Sequence, residues 1–194
     1  MTTDGNQTLE PGDRSRYELM RAKHGTVPVS IPRKLRWCSV LSGVAALSGP
    51  IVVTLPDTVQ AAHFTDDPLT TPLGAAAVAL FGVLCVAVSA VGLAGIQLYV
   101  TRNPDPEESR VWTLIGGEDA FSGIAFITGA LGIVLGVGIL VTGHWGVDRV
   151  AWLIDNGVDP YLVFASVPAT PRLTSVVSFA ISIATFAASV SFAR

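Results

Sequence analysis

Three kinds of side chain in this 194-residue sequence have the types to do chemistry: two cysteines, three histidines, and the adjacent acids Glu118 and Asp119. A thiol oxidoreductase needs paired, reactive thiols, and there is no CxxC. Cys38 falls near the start of one apolar run and Cys85 near the middle of another, at depths that do not suit a disulfide. A haem-ligating bundle needs imidazoles projecting inward from its helices, whereas His24, His63 and His144 all lie outside the apolar runs. His63 and His144 have Asp57, Asp66, Asp67 and Asp148 as potential co-ligands, with His63–Asp66, His63–Asp67 and His144–Asp148 at i, i+3 or i, i+4 spacing, but a lone His beside Trp145 reads as an interface residue in preference to a metal ligand. Glu118 and Asp119 follow Gly116-Gly117. They read as acids suited to the positive end of a helix after a flexible turn, in preference to a catalytic carboxylate pair. No GxSxG, HExxH or Walker-type motif is present. The sequence therefore predicts no catalytic residue, no cofactor, no metal site and no enzyme.

The elements that would position such residues are membrane spans. Charged residues make up 14% of the chain against about 25% in ordinary soluble domains, and mean hydropathy is +0.55. Charge is also segregated, leaving the stretches 37–56, 68–101, 120–147 and 173–193 uncharged at neutral pH. A hydrocarbon core about 30 Å thick needs roughly 20 helical residues, and all four stretches qualify. Unpaired backbone amides cannot face lipid, and period-2 alternation is absent, so the crossings are expected as α-helices. The spans are placed at about 35–55, 73–100, 120–142 and 173–192. They form a four-helix transmembrane domain over residues 35–193.

Residues 1–34 read as a polar, basic tail exposed to solvent, with a short helix over 13–24 begun by Asp13 and ended by Gly25. With Arg33, Lys34 and Arg36 ahead of the first span, this side holds most of the Lys and Arg, and the positive-inside rule places it in the cytoplasm. The loop at 56–72 has no Lys or Arg, so it is expected outside, and the loop at 102–119 inside. The fold expected is an up-down antiparallel bundle in the cell membrane with both termini cytoplasmic. The run from Arg33 to Ala61 also imitates a cleavable signal; its long basic region and long apolar run argue for a retained span instead. Ser48-Gly49-Pro50 predicts a bend in span 1. Between spans 3 and 4, residues 145–161 carry apolar positions at helical spacing and a stop at Asn156-Gly157. They predict an amphipathic helical hairpin on the outer side, whose second limb is YLVFASV, with Trp145, Trp152 and Tyr161 at the interface.

Helices in lipid associate where small residues let backbones approach and where polar side chains find partners. Span 3 offers Thr128, Gly132 and Gly136 at intervals of four, with Gly129 and Gly138 beside them. Span 2 offers Gly82 and Ser89, and span 4 offers Ser178, Ser182, Thr185 and Ser189 on one face. These are the expected helix-packing residues. A hydroxyl-lined conduit for an ion or small solute is the competing reading, but no Asp, Glu, Lys, Arg or His falls at the centre of a span. The function expected is a non-enzymatic accessory or scaffold protein with membrane lipid, copies of itself or other membrane proteins as partners. A small transporter or channel along span 4 is the alternative. A net charge of −3 gives no sign of nucleic-acid binding.

Overall fold

The structure, a computed structural model, describes residues 16–104, 106–162 and 167–193. These residues are helical throughout their regular elements: α1 (Arg16–His24), α2 (Ile31–Val53), α3 (Asp57–His63), α4 (Gly74–Arg102), α5 (Glu108–Trp145), α6 (Val147–Asp155) and α7 (Pro171–Ser191). Of these, α2, α4, α5 and α7 are long and apolar enough to cross a membrane.

Local chemistry sets the ends and breaks. Pro32 and Pro171 sit in the first turns of α2 and α7, where a missing N–H costs nothing, and Thr170 caps α7 by accepting from the Leu173 N–H at 3.1 Å. α2 breaks at Leu47, because Pro50 lacks the N–H that the Ala46 carbonyl would bond; Ser48 Oγ donates to the Ala45 carbonyl at 2.7 Å beside the break. Gly146, at φ 91°, turns the chain out of the α5 axis into α6. α6 stops as its sequence predicts. Gly157 takes φ 82°, the Val158 N–H bonds the Leu153 carbonyl at 2.9 Å, and the Gly157 N–H bonds that of Ile154 at 2.9 Å, so the last carbonyls are satisfied. The expected second limb of the hairpin falls largely on 163–166, outside the described residues; Tyr161 itself lies in a turn.

The largest departure from expectation is α5. It starts at Glu108, so Gly116-Gly117 lies within a helix and is not a turn. Its 38 residues run roughly 57 Å at about 1.5 Å each, well beyond a hydrocarbon core of about 30 Å. Two glycines weaken a helix by about 1 kcal/mol each. Here packing overrides that cost: Val111, Ile115, Glu118 and Ser122 are buried at helical spacing, and the inward side of Gly117 meets Ile96 of α4. Farther along, Ile124–Gly129 forms a wider π turn.

Close approach of α4 and α5 explains most of the glycines in the apolar part of α5. A Cβ on Gly136 would lie 2.5 Å from the Ala75 carbonyl oxygen and 2.6 Å from the Ala79 nitrogen. One on Gly82 would lie 2.6 Å from the Gly129 carbonyl oxygen, and one on Gly132 3.1 Å from Gly82 Cα. Thr128, expected on this face, stands exposed; the π turn rotates the register, and Gly129 packs instead against Val86 and Gly82. A Cβ on Gly138 would meet nothing within 4 Å. Gly136→Ala and Gly82→Ala are therefore expected to destabilise the protein by about 1–3 kcal/mol, since backbone must move. Gly138→Ala is expected to be tolerated. Melting of the three variants in the same detergent checks this, and equal loss in all three would contradict the packing.

Candidate functional site

The described residues bring together one group of ionisable side chains out of contact with solvent, where α1, α2 and α5 meet. Lys34 enters from the first turn of α2, three residues before the uncharged run begins at Trp37. Glu118 enters from α5 on the stripe that also buries Val111 and Ile115, and Tyr17 comes down from α1. Lys34 is 0% exposed, Glu118 1% and Tyr17 1%. Lys34 Nζ donates to Glu118 Oε1 at 2.6 Å, and the Tyr17 hydroxyl donates to Glu118 Oε2 in a short hydrogen bond. Ser122 Oγ closes the floor by donating to the Glu118 carbonyl at 2.7 Å.

Electrostatics makes this a closed unit. An isolated carboxylate or ammonium is very costly to bury, and the pair stands because each neutralises the other while Tyr17 takes the second carboxylate oxygen. The Tyr17 hydroxyl is pushed well above the ordinary tyrosine value, first by burial, then by its hydrogen bond to Glu118 and that residue's negative charge; Arg21, 5.6 Å from the ring, opposes the shift. Docking of α1 continues at the rim. The Thr26 N–H bonds both Asp119 carboxylate oxygens at 3.1 Å, Thr26 Oγ1 donates to Asp119 Oδ2 at 2.9 Å, and the His24 ring packs tilted against Trp112, with centroids 5.0 Å apart. The Glu118-Asp119 pair is thus divided: one carboxylate faces inward to Lys34 and Tyr17, the other holds the loop after α1.

The chain matches no family model, no curated protein and no solved structure. Function must be read from geometry. With both oxygens of Glu118 engaged and all three side chains shielded, the cluster is arranged to fasten α1 to the bundle. The part of the expected exposed tail that is described is therefore docked, because Tyr17 has a buried acceptor to reach.

The remaining expected sites lie along the helix seams. Ser39 and Ser182 exchange bonds, each hydroxyl donating to the other's carbonyl at 2.9 Å, and Ser175 accepts from the Gly49 N–H at 2.6 Å. Ser89, Thr185 and Ser189 turn back onto carbonyls of their own helices, at Cys85, Ile181 and Phe186. Ser178 is buried on the same α7 face, and its hydroxyl, like that of Ser42 on α2, has no partner among the described residues. Cys38 is buried and Cys85 partly so, both as free thiols. His144 Nε2 lies 3.2 Å from Thr54 Oγ1, and His63 packs on Tyr161. Among the described residues no three of His, Cys, Asp and Glu are grouped to hold a metal.

Two predictions follow from the cluster. Lys34→Met leaves a buried carboxylate uncompensated and is expected to cost about 3–5 kcal/mol, while Lys34→Met/Glu118→Leu recovers much of that loss. Additive single losses measured by thermal unfolding would contradict the pairing. The second concerns pH. Tyr17 is held protonated in the docked state, so its contribution is complete below about pH 10 and falls as pH rises beyond it. Fluorescence of Trp112, beside His24, should report an alkaline undocking step that Tyr17→Phe moves or removes; an unchanged step in that variant would contradict it.

Proposed function

We propose that the protein is a non-enzymatic membrane scaffold or accessory subunit: an up-down antiparallel bundle of four spans with both chain ends in the cytoplasm, acting through helix contacts. The observation that carries this reading is where the polar side chains of the spans go. Most of the serines and threonines bond a neighbouring helix or their own backbone, so they serve assembly of the bundle and leave its outer faces largely apolar. The order of contacts supports alternation. Ser39 meets Ser182 and Gly49 meets Ser175, in opposite order, whereas Lys34 meets Glu118 and Thr54 meets His144, in the same order. Orientation rests on Arg33, Lys34 and Arg36 at the head of α2.

Contact with a partner helix is best supported at α7. Its most apolar window is 22% buried against 44% for α4, and Val176, Phe179, Ile183 and Phe186 are exposed at intervals of three and four. Such a stripe fits a second copy or another membrane protein as well as it fits lipid. The alternative, a small transporter or channel along the Ser/Thr face of α7, draws support from the unpartnered hydroxyls of Ser42 and Ser178.

Cysteines introduced by Phe179→Cys or Ile183→Cys, in a background with Cys38 and Cys85 changed to Ala, are expected to cross-link in native membranes, whereas Val91→Cys on α4 is not. Cross-linking at none of them would argue against the scaffold reading. Solute flux through liposomes that Ser182→Leu abolishes would favour the channel.

A further inference from the structure

At the far end of the bundle from Lys34, a cavity of about 460 Å³ is lined by Trp145, Arg149, Trp152 and Leu153. Leu153 also lines a second, apolar cavity of about 210 Å³ that runs along α5 past Val134, Leu135, Gly138 and Thr142. We propose that these two adjoining cavities form one phospholipid site, with the lipid phosphate at Arg149 between the two indoles and an acyl chain along α5 over Gly138.

Four observations support that occupant. The Arg149 side chain is exposed, and its guanidinium has no ion-pair or hydrogen-bond partner among the described residues, although its position on α6 is fixed by buried Val150. A guanidinium beside hydrocarbon is matched by a phosphate, to which it can present two parallel N–H groups. Trp145 and Trp152, which line the cavity with it, are 66% and 58% exposed, and indoles favour the headgroup level of a bilayer. The apolar cavity shares Leu153 with the one that Arg149 lines and follows a membrane-spanning helix, an arrangement that suits a headgroup followed by a chain. Gly138 then acquires a reason. It meets no other helix, and its missing side chain leaves the groove open.

The carboxylates at this end of the fold, among them Asp57, Asp66, Asp67, Asp148, Asp155 and Asp159, repel anions in general. Arg149 is the guanidinium that lines the cavity, so anion binding should be confined to that point and should depend on the attached chain.

The test uses full-length protein purified in a maltoside detergent. Dioleoyl phosphatidylglycerol should raise its melting temperature and remain bound as a stoichiometric adduct in native mass spectrometry; dioleoylglycerol, which lacks the phosphate, and inorganic phosphate, which lacks the chains, should do neither. Arg149→Gln, on the surface of α6, should weaken retention roughly tenfold or more, the loss expected for one charge-assisted pair. Gly138→Leu should weaken it by filling the groove, while Leu131→Ala, elsewhere on the exposed face of α5, should not. Equal stabilisation by dioleoylglycerol, equal protection by inorganic phosphate, or undiminished retention in Arg149→Gln would each overturn the proposal.

Discussion

Hydrocarbon donates and accepts no hydrogen bonds, so any polar group carried into it must find its partner within the protein. Most of this fold follows from that constraint. Serine and threonine hydroxyls bond carbonyls of their own or a facing helix. The charged groups Lys34 and Glu118 are placed where the apolar slab begins, and they are buried against one another. Tyr17 completes the carboxylate's coordination and brings α1 with it.

The same solvent removes the usual reason for helices to associate. Leucine gains little by leaving lipid for a leucine interface, so α4 and α5 are held by backbone proximity through Gly82, Gly132 and Gly136 and by van der Waals contact. α2 and α7 are joined by reciprocal serine bonds. These two kinds of seam differ in tolerance. A glycine seam fails when a methyl group is added, because the opposing atoms are backbone, whereas a serine seam fails when a bond is lost. Outside both seams, Phe81, Val91, Ile127 and Phe179 lie exposed on the spans, which in water would be an aggregating surface and in lipid is an ordinary one.

The four spans were legible because the absence of charge over twenty residues has few physical explanations. α7 was expected at about 173–192 and runs Pro171–Ser191; α4 was expected at about 73–100 and runs Gly74–Arg102. The Asn156-Gly157 stop was legible for a local reason, since a left-handed residue favours glycine. What was not legible has two causes. Charge marks where lipid ends but not where a helix ends, so the sequence predicts a span only from about Ala120, although Val111, Ile115, Glu118 and Ser122 stand at helical spacing across that border. The burial of Tyr17 depends on a partner 101 residues away, which no local pattern encodes. Thr128 stands exposed where the π turn shifts the register of α5 by an amount that a regular helix does not contain.

α5 runs without a break from Glu108 to Val141, through the π turn at Ile124–Gly129, and its projecting end holds α1 through Glu118. Amide hydrogen exchange of the full chain in lipid nanodiscs tests it most directly. Slow exchange should run through Gly116-Gly117 without interruption and extend to residues 17–24. Fast exchange at Gly116-Gly117 together with fast exchange throughout 17–24, the behaviour of a loop and an undocked tail, would contradict it.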